Sequence, residues 1–568
     1  MSIHFSALYK PALQRLLRTD NFDFVRVCAK LTVVLCIFIA LASATLGLRT
    51  ALKAGPIWDD PTTIGMMRVL IGIGAHPETS YESGIAAIEV DGYRGAGYYG
   101  AVTQFSAHAL ETIANRDSWL HVSHSAQAIA WRHLVCFIMT MCAAVALFLT
   151  AGIISGDRRL GVFMVAALLS TPVFIGMSVI NEKDAPIAAG MTLLSCGSAL
   201  LLWQVSSAST NRRSSPALAA AAIFLGTLFA FGTRVGALAL IAVECAVVGI
   251  AAIVLCRGRL LRIMNVMAIL GTSVLAAVVW ATMINPLGRK EPIRWIFEGI
   301  AYAGHPVTQA VKLYGATVNS GALPWWYVPA WLIGEYPLAF WLLVALGIWG
   351  VMTLLSRKNA RGVYVWTPFV AQGLLLPILI VFFSGSFYDR LRHLLFIIPP
   401  WCMLAGFGLY VCVERMRQSG GLRSSMLALL ATAFLTYNFA MTVIWYPYQY
   451  VFLSEIARLW PQFSFDSETL GLSVTESIER MRERGITQFR AGPAPIHAAY
   501  EDPANVTRLG VTIGYVGQGT PHPVPVPGGG AYYLHTRPSW GFAGVPPFCR
   551  ELFRIERQSV ILGVGAQC

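Results

Sequence analysis

LTVVLCIFIALASATLGL, residues 31–48, is an apolar run without a single charged side chain. A helix of about 20 such residues crosses the hydrocarbon core of a bilayer. Ten further runs of similar length follow, giving eleven predicted spans at roughly 31–50, 130–153, 160–180, 185–206, 216–232, 236–256, 263–284, 338–356, 364–384, 394–413 and 425–445. Composition agrees with this pattern. The 568 residues are 56% hydrophobic and only 12% charged, whereas an ordinary soluble domain carries about 25% charged residues. The expected fold is a polytopic α-helical membrane protein.

The formal net charge of +13 would suit nucleic acid if it formed a patch. Instead, the basic residues fall in short loops between spans, which is the positive-inside pattern of membrane topology. Lys10, Arg15, Arg18, Arg26 and Lys30 precede the first span, and no small-residue cleavage site follows it, so residues 31–48 read as a signal anchor with a cytoplasmic N-terminus. The inner loops are then Asp157-Arg158-Arg159, Asn211-Arg212-Arg213, Arg257 to Arg262, Arg357 to Arg361 and Glu414 to Arg423, all of them basic. No nucleic-acid partner is expected.

The other face differs. Its first loop, 51–129, holds Asp59, Asp60, Glu78, Glu82, Glu89, Asp91 and Glu111. It also receives Asn181-Glu182-Lys183-Asp184, Thr233-Arg234, the loop 285–337 and Tyr388-Asp389-Arg390-Leu391-Arg392-His393. Charges at a membrane boundary are costly to desolvate, so charges gathered on the face opposite the basic loops point to a site. The long loops are expected to lie along the membrane. Residues 99–115 have the mixed character of an interfacial helix, and Trp325, Trp326, Tyr327 and Trp331 form an aromatic cluster suited to the headgroup region. That cluster reads as a membrane anchor or as the wall of a lipid groove.

Residues 1–445 form the predicted membrane domain, and 446–568 a small α/β domain on the outer side. Ser473-Val474-Thr475-Glu476 has the form of a capping box, starting a helix to Arg484 that stops at Gly485. Strand-like runs follow at Ile486 to Arg490, Thr507 to Ile513, Ala531 to Thr536 and Ser559 to Val564. The Pro/Gly-rich stretch 519–530 reads as a loop. Cys549 and Cys568 lie in this tail. On an oxidising face they are able to form a disulfide, although spacing alone leaves two free thiols equally open.

Two classes of protein place acids and cations on such a face. A transporter or flippase of lipid-linked sugars would concentrate charge within the spans, near the midplane. An enzyme acting on a lipid-borne substrate would gather it at span ends, which is the pattern here. Group transfer from a lipid phosphate needs a carboxylate to deprotonate the incoming nucleophile and cations to stabilise the departing phosphate. Asp59 or Asp60, in Trp58-Asp59-Asp60-Pro61, suits the first role, although the pair also fits an N-terminal cap before Pro61. Lys183, Arg234 and Arg392 suit the second, Arg by bidentate contact and Lys as a point charge.

The order of these motifs resembles the GT-C glycosyltransferases, in particular the family 39-like branch of protein O-mannosyltransferases and lipid A aminoarabinose transferases. The stretches that carry the resemblance are Trp58-Asp59-Asp60-Pro61, Trp131-Arg132-His133-Leu134, Asn181-Glu182-Lys183-Asp184-Ala185-Pro186, Gly232-Thr233-Arg234-Val235-Gly236, Leu323-Pro324-Trp325-Trp326-Tyr327, Tyr388 to Phe396 and Tyr446-Pro447-Tyr448-Gln449-Tyr450. The resemblance implies a GT-C fold and a bacterial inner-membrane enzyme. It would move a hexosyl or pentosyl group from a polyprenyl-phosphate carrier to a lipid, glycan or protein acceptor, with inversion. It implies Asp59 as the catalytic base with Asp60 as its acidic neighbour. Lys183-Asp184 resembles the Lys-Asp of the family's motif and Arg392-His393 its donor-phosphate element; with Arg234 as a further cation, the expected donor-phosphate contacts are Lys183, Arg234, Arg392 and His393, and Asp184, Tyr388 and Glu111 are the expected supporting residues. Two departures stand out. Glu182 takes the place of Pro in an Asn-Pro-Lys-Asp motif, and Ser467-Glu468-Thr469-Leu470-Gly471 lies where an Asp-Tyr-Trp-Gly is common.

No metal or other cofactor is expected. His121 and His124 share the spacing of one helix face, but no third ligand is nearby in the sequence. Asp59, Asp60 and Glu111 are the oxygen ligands a divalent ion would use, and the resembled enzymes work without one.

Overall fold

The computed structural model describes residues 10–57, 59–91, 95–123, 125–206, 215–256, 259–305, 308–356, 360–383, 387–419, 421–461, 464–466, 468–492, 512–514, 532–535 and 548–567. Among them, eight helices are long and apolar enough to cross a membrane, from Val25–Lys53 to Leu422–Ile444. The predicted span at 160–180 is two helices, Arg158–Leu169 and Pro172–Ile180, bent by 74°. Pro172 explains the break, since it lacks an N–H and is accommodated only in a first helical turn. The predicted spans at 216–232 and 364–384 correspond to shorter apolar stretches, Pro216–Phe231 and Thr367–Phe382. The latter contains a π-helical turn at Ala371–Leu375. The molecule is thus a polytopic helical membrane protein.

The helix Ala185–Ser206 runs through its centre, with its apolar window wholly buried. It packs closely on Pro216–Phe231 because glycines meet there. A Cβ on Gly190 would strike the Gly226 carbonyl, and one on Gly226 the Leu194 amide. Small residues allow such backbone approach where helices cross in a membrane. Consequently the turn 181–184 at the N-terminal end of this helix sits in the middle of the bundle.

The loops sort into two groups by contact. Arg159 pairs with Asp157 and reaches Glu414 at 3.3 Å, and Glu414 also takes Arg417 at 2.9 Å. These are the loops read as inner. The turns bearing Asp59, Lys183, Arg234 and Arg392 meet elsewhere, as described below.

The first long loop, 51–129, contains the helices Asp60–Ala75, Tyr81–Asp91 and Val102–Asn115. The last buries one face (Val102, Gln104, His108, Glu111) and leaves Ile113 exposed, as an amphipathic helix would. Helix Pro292–Ala303 in the second long loop buries Trp295 and exposes Ile293 and Phe297. Tyr81 and Tyr98 both donate to Glu298 (2.9 and 3.0 Å), tying the two loops together. The aromatic cluster does not behave as one unit. Trp325 is 79% exposed, but Tyr327 and Trp331 are buried, where Trp331 packs against Phe465 and the Arg390 guanidinium.

A hairpin of β1 (Ala310–Leu313) and β2 (Ala316–Asn319) joins the tail through Lys312, whose N–H donates to Asp466 Oδ2 at 3.0 Å. The tail holds a mixed sheet in the order β4-β3-β5-β7-β6, from β3 (Gln488–Gly492), β4 (Thr512–Gly514), β5 (Tyr532–His535), β6 (Arg550–Arg557) and β7 (Val560–Gln567). β3 pairs in parallel with β4 and β5, and the β5–β7 and β6–β7 pairs are antiparallel. β6 has no counterpart among the predicted strands. Its charged residues (Arg550, Glu551, Arg554, Glu556, Arg557) mask the alternation of buried Phe553 and Ile555. The tail helix spans Ser473–Glu483, and Gly485 follows with φ +72°. The expected capping box does not form. Ser473 Oγ donates to the Leu562 carbonyl instead, and Glu476 accepts from Tyr448. Cys549 is disulfide-bonded, and the other nine described cysteines are free thiols. Cys568 and the stretch 519–530 lie outside the described residues.

Candidate active site

Asp59 stands at the N-cap position of the helix Asp60–Ala75, yet its side chain makes no cap bond. It turns instead to two cations. Lys183 Nζ donates to Oδ1 at 2.9 Å and Arg392 donates to Oδ2 at 2.8 Å. All three side chains are buried. Burial raises the Asp59 carboxyl, but Lys183 and Arg392, helped by Arg234, outweigh it and hold the group below the usual carboxylate range.

Local turns aim these groups. At 181–184, the Asn181 side chain accepts from the Lys183 and Asp184 amides (3.1 and 3.0 Å) and donates to Asp184 Oδ2 at 2.9 Å. This is the turn that Asn stabilises with its own side chain. It sends Lys183 towards Asp59, while Asp184 accepts from Arg234 at 3.0 Å. Burial raises the Asp184 carboxyl, and Arg234 leads the cations that bring it below its ordinary value.

Arg234 lies on a short backbone bridge with Tyr99. Gly100 N–H donates to the Thr233 carbonyl at 2.8 Å and Val102 N–H to that of Gly232 at 3.0 Å. The approach requires Gly100, since a Cβ there would overlap the Gly232 backbone. The Tyr99 ring then faces both Lys183 Nζ (5.4 Å) and Arg234 (5.2 Å), within cation–π range. Arg392 also pairs with Asp389 at 3.2 Å and lies over the Tyr388 ring at 5.1 Å. Asp389 and Arg390 both have left-handed backbones, φ +52° and +71°. Such conformations are uncommon for residues other than glycine and cluster at functional sites.

The structure therefore brings together Asp59, Lys183, Asp184, Arg234, Tyr388 and Arg392. His393 is at the margin, with its ring edge on Tyr388 at 4.6 Å. Two of the expected residues sit elsewhere. Glu111 lies on the helix Val102–Asn115 beside His108 (3.8 Å), and no contact joins it to Asp59 among the described residues. Asp60 points away from Asp59. Successive residues in a helix diverge by about 100°, so Asp60 enters the protein, where Oδ2 accepts from the Ile57 amide at 2.7 Å. Tyr99 was not expected, and Asp389, quoted among the charges of that face, had been given no role of its own. A tyrosine among several in a loop and an acid inside a basic motif carry no distinguishing sequence signal. His121 pairs with Asp117 at 2.6 Å, and His124 lies outside the described residues. Among the described residues, no group of three or more His, Cys, Asp or Glu is arranged to hold a metal ion.

No family model and no curated protein matches the chain. Among solved structures, it is similar to ArnT from Cupriavidus metallidurans bound to undecaprenyl phosphate, with 13% identity, 94% of this chain and 97% of that chain covered, and a TM-score of 0.44. It is also similar to the oligosaccharyltransferase AglB from Archaeoglobus fulgidus in complex with an inhibitory peptide and a dolichol-phosphate (10% identity, 90% and 70% covered, TM-score 0.46). A third likeness is to the Archaeoglobus fulgidus oligosaccharyltransferase in the apo form (11% identity, 74% and 58% covered, TM-score 0.38).

Proposed function

We propose that this chain is a GT-C-type glycosyltransferase that moves a sugar from a polyprenyl-phosphate carrier to a hydroxyl acceptor at the outer face of a bacterial inner membrane. The observation that carries the reading is Asp59 held between Lys183 at 2.9 Å and Arg392 at 2.8 Å. One carboxylate and two cations from three distant segments supply the two functions the reaction needs, a base and an anion site.

In the proposed step, the acceptor oxygen attacks the anomeric carbon as its proton passes to Asp59. The bond from that carbon to the phosphate oxygen breaks, and its electron pair leaves with the polyprenyl phosphate. Lys183 and Arg392 stabilise that charge, Arg in a fork and Lys as a point charge. A single displacement inverts the anomeric centre. Arg234, neutralised in part by Asp184, borders the same anion site. These cations meet the charge requirement of the leaving group, so transfer is expected to survive chelation by EDTA. The sidedness rests on the basic loops gathered around Arg159 and Glu414 and the acidic loops gathered around Asp59.

Purified full-length protein, radiolabelled undecaprenyl-phosphate sugar and a membrane-extract acceptor provide the test. The wild type moves label into acceptor, whereas Asp59→Asn, folded and membrane-inserted, does not. Near-full transfer by that variant would refute the base assignment. Label that crosses vesicle membranes without entering acceptor would replace the enzyme with a flippase.

A further inference from the structure

The span Ala237–Cys256 carries one acid, Glu244, and its side chain is fully buried. An ionisable group inside a membrane span is costly, and it marks a function by default. The proposed transfer step does not use this one. Among the described residues no Lys, Arg or His pairs with it, and the titratable groups beside it are the thiols of Cys196 and Cys245. Glu244 Oε1 lies 2.8 Å from Ser195 Oγ, and Oε2 has no hydrogen-bond partner among the described residues.

The hydrogens along these contacts can be counted, starting from Gln372 in the π-helical turn Ala371–Leu375. One end of its amide is 2.6 Å from the Phe396 carbonyl. A carbonyl only accepts, so that end is the NH2 group. Its second hydrogen goes to Thr192 Oγ1 at 3.3 Å, and Thr192 in turn donates to the Ala188 carbonyl at 2.8 Å. The amide oxygen of Gln372 therefore faces Ser195 Oγ, at 2.9 Å. Ser195 has a single hydroxyl hydrogen, yet it stands between Gln372 Oε1 and Glu244 Oε1. Were Glu244 a carboxylate, one of these two short oxygen–oxygen contacts would hold no hydrogen, and the bundle would enclose an unpaired charge. With a proton on Glu244 Oε1 every contact is filled. Glu244 donates to Ser195, Ser195 to Gln372, and Gln372 to Phe396 and Thr192.

We infer that Glu244 is a neutral carboxylic acid whose proton sets the direction of this chain, and that it is a positioning residue for Arg392. The chain ends on Phe396, in the 3₁₀ turn Arg392–Ile397. It is anchored by Ser195 and Thr192 on the helix Ala185–Ser206, which begins directly after Lys183-Asp184. It thus joins the two segments whose cations hold Asp59. Without a donor at position 244, Ser195 is free to turn its hydrogen back to the Met191 carbonyl, four residues earlier in its own helix, a bond that helical serines commonly make. Gln372 then loses the hydrogen that fixes its amide. The meaning of this for transfer rests on the donor-phosphate reading above.

Infrared difference spectra of full-length protein in detergent at neutral pH, wild type minus Glu244→Gln, test the proton. The difference should contain the carbonyl stretch of a protonated carboxyl. Carboxylate bands in its place overturn the proposal. Should Glu244→Gln not fold, Ser195→Ala is compared with wild type instead. The protonated-carboxyl band should then rise in frequency, because the acid has lost its acceptor, and an unmoved band overturns the proposal.

Titration of undecaprenyl phosphate against melting temperature tests the positioning. Glu244→Gln keeps a donor and should bind the lipid as wild type does. Glu244→Met has a similar volume but no donor, and should bind about tenfold more weakly, the worth of one buried hydrogen bond. Ser195→Ala removes the middle of the chain and should match it. Equal binding by the Gln and Met variants overturns the positioning role. If the protonated-carboxyl band is present but undecaprenyl phosphate stabilises no protein, wild type included, the neutral acid stands and the donor-site reading fails.

Discussion

At the scale of single residues, Asp59 holds both cations that a phosphate would need. An incoming phosphate must therefore share Lys183 and Arg392 with it. Removing the Asp59 charge leaves those cations to the ligand alone. In Asp59→Asn, undecaprenyl phosphate is expected to bind about tenfold more tightly, by analogy with other close charged pairs, even as transfer falls by about 10²–10⁴-fold, the usual worth of a general base. Titration of undecaprenyl phosphate against thermal stability, beside the transfer assay, separates the two effects. Weaker binding in the variant would show that Asp59 helps to assemble the anion site instead of competing for it. The Asp59 carboxyl lies below its ordinary range, so its stabilisation is present above that range and lost as pH falls through the folded value. The melting-temperature advantage of wild type over Asp59→Asn should accordingly shrink below about pH 4.

At the scale of elements, legibility followed length. A run of about 20 apolar residues announces a span whatever surrounds it, but that same rule read 160–180 as one span and passed over Pro172, where the chain bends. The charges on the face opposite the basic loops were legible as a group because each interrupts or ends such a run. Their directions were not. Asp59 and Asp60 are adjacent, as are Glu182 and Lys183, and only the geometry of the helix start and the Asn181 turn decides which member of each pair joins the cluster around Arg392. Glu111 had the right charge in the right loop, but its helix turned it to His108. A lone acid within a span, Glu244, was a signal left unused. In the structure, Ser195 Oγ lies 2.8 Å from Glu244 Oε1 and 2.9 Å from Gln372 Oε1. Gln372, in the π-helical turn, donates to the Phe396 carbonyl at 2.6 Å, in the 3₁₀ turn Arg392–Ile397. π-turns often mark functional positions, and this one braces the segment that bears Arg392. Gln372→Leu leaves the Phe396 carbonyl without that buried donor, a cost of about 1–3 kcal/mol. The variant should melt lower and gain less from undecaprenyl phosphate than wild type. An unchanged phosphate response would limit the brace to a structural role.

At the scale of the molecule, the tail is bolted to the site through the residue two before Arg392. Arg390 is fully buried. Its Nε donates to Glu335 at 2.7 Å, and its two terminal nitrogens donate to the carbonyls of Tyr450 (2.8 Å) and Phe452 (2.6 Å). Tyr450 bonds Glu468 in turn, and Glu468 accepts from the Ser473 amide at the start of the tail helix. One guanidinium thus joins the second long loop, the turn that presents Arg392 and the entry to the tail. Lys cannot replace it, because an ammonium lacks the planar fork that reaches a carboxylate and two carbonyls at once. Comparison with Arg392 isolates this role. Arg392→Ala leaves Asp59 its bond to Lys183, whereas Arg390→Ala strips Glu335 of its cation and two buried carbonyls of their donors. Loss of one partner from a buried pair costs about 3–5 kcal/mol. Arg390→Ala should therefore melt well below Arg392→Ala, while both lose the response to undecaprenyl phosphate, the first because the turn is released and the second because a phosphate contact is gone. Thermal melts of both variants with and without that lipid check the ordering. Equal melting temperatures would mean that the tail is held by its other contacts and that Arg390 is dispensable to the fold.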